Sequence, residues 1–197
     1  INVTSEENSE IIDYGVKMVG APLEWDETMV EDIKVGIIDT GVDSDHIELK
    51  GRIKDGANFY GKNSDDFEDD NGHGTHICGI VAAEKNGVGV VGVAPKADLY
   101  VAKAFGKDGK TSYPAIEKSM NWLIDKGVDV INMSFSSSAT SPQYKALISK
   151  VHERGISLIC AAGNEGGMGE NTIGYPANFP ETVAVSAVDI NKNIADF

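Results

Sequence analysis

The chain has 197 residues, 41% of them hydrophobic, with 17 Lys+Arg against 31 Asp+Glu and a formal net charge of −14. That length and apolar content suffice for one domain with a full core, and the acidic balance argues against nucleic acid as a partner while leaving room for bound cations. No apolar run approaches the roughly 18 residues of a membrane span and no signal-peptide pattern opens the chain, so no membrane span is expected. Cys78 and Cys160 are the only cysteines, each inside an apolar run, which predicts two buried free thiols and leans towards a reducing compartment.

Residues 1–13 are polar and read as an extended surface segment, and the Ile1 start suggests processing from a longer precursor. Tyr14-Gly15-Val16 leads to a short helical piece at residues 21–26. Lys34-Val35-Gly36-Ile37-Ile38-Asp39-Thr40-Gly41 has the pattern of a buried parallel strand with an acid at its carboxyl end, where the ligands and catalysts of open α/β sheets gather. Asp39 alone is equally a turn or cap residue. Residues 61–70 form an acidic loop, either a solvated surface or a cation site.

The stretch from Asp69 to Ala83 carries His73 at the mouth of a helix that is apolar on almost every side and is therefore expected to be buried. The partial positive charge of a helix N-terminus disfavours imidazolium and leaves a neutral ring able to accept a proton. Gly72 and Gly74 are expected to clear space for a substrate and a second catalytic group. The alternative is a structural histidine in a Gly-rich turn. Two glycines then interrupt Glu84-Lys85-Asn86-Gly87-Val88-Gly89-Val90, a loop able to turn carbonyls and the Asn86 side chain to one point, as oxygen-only calcium ligation requires.

Residues 98–104 read as the next strand and residues 105–111 as an exposed loop. Tyr113–Lys126 fits a helix with Ile116, Met120 and Leu123 on one face and Gly127 as its stop. Residues 128–133 form a strand running into Ser134-Phe135-Ser136-Ser137-Ser138. Ser141-Pro142 starts a helix carrying Tyr144, Leu147, Ile148 and Val151 and closing at Gly155. Residues 156–162 are a further strand, ending in Gly163-Asn164-Glu165-Gly166, and residues 182–188 are the last. This alternation predicts an α/β fold, a parallel sheet with helices on both faces joined by right-handed crossovers. There is no internal repeat, and no Gly-rich phosphate loop follows the first strand, which disfavours a nucleotide-binding domain.

Asp39-Thr40-Gly41, then Asn71-Gly72-His73-Gly74-Thr75-His76, then Ala161-Ala162-Gly163-Asn164-Glu165-Gly166 come in one order, and together they resemble the subtilisin family of serine proteases over residues 14–197. The resemblance implies that Asp39 orients and charge-stabilises the histidine, that His73 is general base and then acid, and that Asn164 donates to the oxyanion. It implies that Gly109-Lys110-Thr111 and Ser134-Phe135-Ser136 are the edges between which a peptide pairs as an added strand. Ala161, Ala162, Gly163 and Gly174 would wall the pocket for the side chain before the cut. Phe135-Ser136 departs from the family's usual Leu-Gly, and its extra side chain would narrow that pocket. Glu165 at the rim either favours a basic residue or is simply solvated.

The same resemblance implies a structural Ca2+ held by the carbonyls of Glu84, Val88 and Val90, the Asn86 side chain, Glu48 in place of the usual aspartate, and Glu10 from the N-terminal segment. The wording from Cys160 to Gly166, the thiols and the acidic balance resemble bacterial intracellular subtilisins, which favours the cytoplasm over a secreted or surface location.

The family's nucleophile stands in Gly-Thr-Ser-Met-Ala, a motif absent from these 197 residues, and none of Ser134, Ser136, Ser137, Ser138 or Ser186 has that context. The expectation is therefore that residues 1–197 are the larger, N-terminal part of a single peptidase domain, subtilisin-like and incomplete on its C-terminal side. Its expected partners are a peptide or protein substrate, a complementary C-terminal fragment carrying the serine, and an inhibitory propeptide. The competing expectation is a truncated or catalytically dead relative that binds peptides without cutting them.

Overall fold

Five of the six residues of Lys34–Asp39 (β1) are buried, as a strand covered on both faces must be. The computed structural model, which describes residues 10–61, 65–169 and 171–197, sets this strand inside a parallel sheet. The others are Ile53–Asn58 (β2), Asp98–Lys103 (β3), Val130–Met133 (β4), Ser157–Ala161 (β5) and Val183–Val185 (β6). Among the described residues the sheet has six strands in the order β2-β3-β1-β4-β5-β6, every neighbouring pair parallel. All carboxyl ends thus share one edge. The order reverses at β1, with β3 on one side and β4 on the other, and a crevice at such a switch point is where α/β sheets bind ligands.

Alternation along the strands divides the core. Val35, Ile37, Leu99 and Val101 meet Cys78 and Ala82 of His73–Ala82 (α3) on one face. Ile38, Ala102, Ile131 and Leu158 meet Met120 and Leu123 of Tyr113–Lys126 (α4), and Ile148 and Val151 of Pro142–Glu153 (α5), on the other. Ser112 caps α4 by accepting from the Ala115 N–H, and Gly127 ends it in the left-handed region at φ +65°. Ser141 caps α5 by accepting from the Tyr144 N–H. Tyr14–Met18 (α1) and Ala21–Glu24 (α2) build a small third cluster from Val16, Ala21, Trp25 and Val91.

The expected α/β sheet with helices on both faces is present, with four differences in detail. β2 was not anticipated, because Ile-Lys-Asp-Gly-Ala-Asn is the polar sequence of an edge strand. The strand expected over residues 182–188 is reduced to β6, whose three residues are exposed. A 3-10 turn at Gly166–Met168 follows β5. The helix expected to be buried all round, α3, buries only the stripe Gly74, Cys78 and Ala82, while Ile80 stays 48% exposed because the sheet covers one side of it alone. Of the extended segment expected over residues 1–13, residues 1–9 lie outside the described residues.

Both cysteines are buried and free. Burial pushes both thiols up, Cys160 to about 12, so they are inert apolar groups and not nucleophiles.

Leu123 is fully buried where α4 meets the sheet. Leu123→Ala is expected to cost about 2–5 kcal/mol, read as a lower urea midpoint at unchanged slope.

Candidate active site

β1 delivers Asp39 to the sheet edge with only 3% of its surface exposed. Its Oδ1 accepts from the Thr40 N–H at 2.7 Å and lies 2.7 Å from His73 Nδ1. Burial pushes the Asp39 carboxyl up from its ordinary value, and the hydrogen bonds from His73 and Thr40 pull it back only in part. An ionised carboxylate only accepts, so His73 Nδ1 carries the proton and Nε2 keeps its lone pair. The His73 side chain is 49% exposed, which leaves that face open to a second reactant.

α3 begins at His73, after Gly72 in the left-handed region at φ +103° and with the His73 N–H donating to Asn71 Oδ1 at 3.1 Å. The two flanking glycines leave room in different ways, and at Gly74 the room is taken by the turn after β1 and by Asp39 itself. A Cβ on Gly72 would meet nothing within 4 Å, so the glycine there serves the backbone turn. A Cβ on Gly74 would stand 2.1 Å from the Gly41 carbonyl oxygen. Gly74 therefore lets the helix start abut the turn after β1 and, with Asp39 Cβ 3.2 Å from the same point, makes the expected room for a second catalytic group.

Between the carboxyl ends of β1 and β4 lies a cavity of about 260 Å³ that brings together Asp39, His73, Gly109, Ser134 and Phe135. Thr40, Asn71 and Phe105 complete its lining and were not anticipated. Lys110 is outside it, paired with Asp108 at 3.0 Å in solvent. Thr111 and Ser136 face an adjoining apolar cavity of about 340 Å³ with Tyr113, Ile116, Tyr144 and Tyr175, and Phe105 and Phe135 form the wall between the two.

Ala161, Ala162, Gly163 and Asn164 lie at the end of β5, on the same edge but outside the first cavity. Asn164 is exposed, and its N–H donates to Glu165 Oε2 at 2.8 Å. The Gly174 N–H donates to the Ala162 carbonyl at 2.9 Å, and Ser137 and Tyr175 exchange two backbone hydrogen bonds. This brings Ser136 against the two glycines: a Cβ on Gly174 would stand 2.0 Å from Ser136 Oγ, and one on Gly163 3.1 Å from it. The extra side chain thus fills space between Gly163 and Gly174, and Gly174 must lack a side chain to admit it.

The six residues expected around a cation are partly convergent. Glu10 Oε1 accepts from the Asn86 and Gly87 N–H groups at 2.8 and 3.1 Å, and Glu48 Oε2 accepts from Asn86 Nδ2 at 3.0 Å. The Glu84 carboxylate faces away, to Arg52 Nε at 3.1 Å. Val88 donates its N–H to Asn86 Oδ1, and Val90 pairs with Ile11. Among the described residues no three His, Cys, Asp or Glu side chains are placed to hold a metal ion.

The acidic loop is not merely solvated. Ser44 Oγ donates to Glu68, Asp70 pairs with Lys103 Nζ at 2.7 Å, and Asp69 accepts from Thr40, Asn71, Gly72 and Thr75. Residues 62–64 lie outside the described residues. Lys103, 5% exposed, also donates to the Thr40 carbonyl. The signal for Asp69 was present, since an Asp two and three positions ahead of Asn-Gly is turn chemistry. Lys103 looks on sequence like any strand-end lysine.

The Subtilase family model matches residues 31–197. An intracellular serine protease of Paenibacillus polymyxa is 38% identical over 200 residues, which cover 99% of this chain and 61% of the relative. Subtilisin DY of Bacillus licheniformis is 41% identical over 195 residues, 96% of this chain and 69% of the relative. The major intracellular serine protease of Bacillus subtilis (strain 168) is 35% identical over 204 residues, 99% of this chain and 64% of the relative. The chain thus spans roughly three fifths to two thirds of the length of these three relatives.

The raised Asp39 carboxyl fixes a pH dependence of stability. A group whose folded value lies above its unfolded one contributes stability fully present below the unfolded value and lost as pH rises through the folded one. At pH 7 the wild-type fold bears the cost of a buried carboxylate. Asp39→Asn escapes it and is expected to melt higher than wild type at pH 7, the gain vanishing below about pH 4. Calorimetry at both pH values checks this, and equal melting at pH 7 would show that the hydrogen bonds fully offset desolvation.

Proposed function

Since the chain belongs to the Subtilase family, we propose that it is the Asp- and His-bearing part of a serine endopeptidase whose nucleophilic serine lies on a segment outside these 197 residues. The observation that carries this reading is the 2.7 Å Asp39–His73 pair at the switch point of the sheet. His73 Nε2 takes the serine proton as Oγ attacks the scissile carbonyl, and returns it to the leaving amine as the C–N bond breaks. Water then attacks the acyl-enzyme by the same relay and releases the acid product. Asp39, acceptor-only and buried, holds the imidazole in one tautomer and stabilises the imidazolium that forms. Asn164 supplies an amide donor to the developing oxyanion.

The substrate lies as an extended strand along Gly109–Thr111 on one side and Ser134–Ser136 on the other, with Ala161, Ala162, Gly163, Glu165 and Gly174 around the side chain before the cut. A complementary segment also accounts for exposed apolar surface: Val183 and Val185 of β6 are 55% and 50% exposed. An inhibitory propeptide would occupy the same groove before activation. Two of the relatives are named intracellular, the thiols are free, and among the described residues no helix is long and apolar enough to cross a membrane; we favour a bacterial, cytoplasmic setting on that basis.

The test is a serine-directed phosphonate followed by intact-mass spectrometry under denaturing conditions. The expected result is a single adduct on the serine-bearing segment and none on a protein carrying His73→Ala. Peptide binding without labelling or turnover would replace the protease with a peptide-binding module.

We further propose a structural calcium ion, and two features of the partly convergent donors support it. Glu48 is 5% exposed, with one oxygen on Asn86 and the other where a Gly89 side chain would stand, 2.2 Å from that Cβ position. Glu10 closes the same loop, and all the candidate donors are oxygens, the set a hard cation takes. Glu10, Glu48, Asn86 and the carbonyls of Glu84, Val88 and Val90 would hold the ion, tying the N-terminal segment to the end of α3. Millimolar Ca2+ is expected to raise the melting temperature by several degrees and EDTA to reverse it, with no response in Glu48→Ala. An equal effect of Mg2+, or a shift that survives Glu48→Ala, would rule out this site.

A further inference from the structure

Two hydroxyls and three backbone N–H groups from opposite sides of the His73 turn end on one carboxylate. Asp69 Oδ1 accepts from Thr40 Oγ1 at 2.9 Å, the Asn71 N–H at 3.0 Å and the Gly72 N–H at 2.9 Å. Asp69 Oδ2 accepts from the Thr75 N–H at 2.9 Å and Thr75 Oγ1 at 2.7 Å. Each hydroxyl is itself already an acceptor: Thr40 Oγ1 from the Gly74 N–H at 2.9 Å, and Thr75 Oγ1 from the Asp43 N–H at 3.0 Å. An ionised carboxylate only accepts, so both hydroxyls donate to Asp69 and both relays run into it.

We propose that Asp69 is a positioning residue for the Asp39–His73 pair, a two-sided acceptor that clamps the residue after Asp39 to the backbone on both sides of His73. Thr40 follows Asp39, and Asn71, Gly72, Gly74 and Thr75 bracket His73, so the clamp sets the two halves of the pair without touching either. The packing leaves it little slack, because the start of α3 abuts the Gly41 carbonyl with no room for a Cβ at Gly74. Partial burial pushes the Asp69 carboxyl up, but the hydrogen bonds from Gly72, Thr75 and Asn71 outweigh it and hold it at about 2, so the clamp is ionised and acceptor-only at any pH at which a protease is assayed. An amide cannot replace it. Asn has one acceptor, and whichever way it flips, its NH2 faces N–H donors on the other side.

The role in turnover rests on the serine endopeptidase reading, so the experiment has one arm that needs no nucleophile. In wild type the His73 Nδ1 proton, held 2.7 Å from a buried carboxylate oxygen, is expected as a far-downfield proton resonance. In Asp69→Asn that resonance is expected to move upfield or broaden, while amide resonances of α4 and α5 stay in place. In the turnover arm, kcat per active-site-titrated molecule is expected to fall about 10- to 100-fold with KM for a peptide substrate nearly unchanged, as a misplaced but intact pair requires.

Thr75→Val, which deletes one of the five donors, is expected to shift the same resonance by less, and it carries the test if Asp69→Asn does not fold. An unmoved resonance in whichever variant folds, or wild-type kcat per titrated molecule, overturns the proposal and leaves Asp69 a stability residue. If wild type has no proteolytic activity but the resonance moves, the positioning stands and the protease reading falls.

Discussion

A carboxylate at the end of a strand that is buried on both faces is the constraint around which this molecule is arranged. Desolvation alone would push Asp39 towards protonation, and the fold answers with two short hydrogen bonds to one oxygen, one from the next backbone N–H and one from His73. The sheet makes this tenable because all its strands are parallel. The carboxyl ends of β1, β3, β4 and β5 share one edge, so helix starts, loops and side chains that must converge on Asp39 are delivered by short connections.

The chain carries 14 more negative than positive formal charges, yet places its cations economically. Lys54–Asp98 and Lys126–Asp55 are partly exposed pairs, screened by solvent and of little weight in stability. Lys103 is different. It pairs with Asp39 across the β1–β3 ladder, is almost fully buried, and reaches the Thr40 carbonyl and Asp70 at once. Asp69 and Lys103 grip Thr40 at opposite polarity, one accepting from its hydroxyl and the other donating to its carbonyl. A single residue beside the buried acid is thus held from both sides, which is why an acidic loop that reads as surface belongs to the site.

What the sequence disclosed follows a physical divide. Elements whose identity rests on local periodicity and capping were legible: β1 as an apolar run, α4 with Ser112 and Gly127 at its ends, α5 with Ser141-Pro142 at its start. β2 was not, because an edge strand needs no apolar alternation and its pairing with β3 is a long-range matter. The Asp39–His73 pairing was legible only because their spacing and context resemble a known family, since nothing local to either residue puts them 2.7 Å apart. Asp69 and Lys103 were passed over for one reason: each acts on a segment distant in sequence, both on Thr40.

The two adjoining cavities are held in place by different contacts. Asp39 and His73 are fixed by β1, α3 and the acidic loop, whereas the slot beyond Ser134 is fixed by Ser137–Tyr175, by Gly174 on Ala162, and by the Ala162 N–H on the Val185 carbonyl at 3.0 Å. Ser136 is admitted because Gly174 presents no Cβ, so a larger residue at Gly174 would displace it before it changed anything at His73. Phe135 tilts against Phe105 at a centroid distance of 5.0 Å, and the two rings line both cavities as the wall between them. Under the proposed reading, the side chains that choose a substrate can drift while the pair that cuts it stays where the sheet puts it.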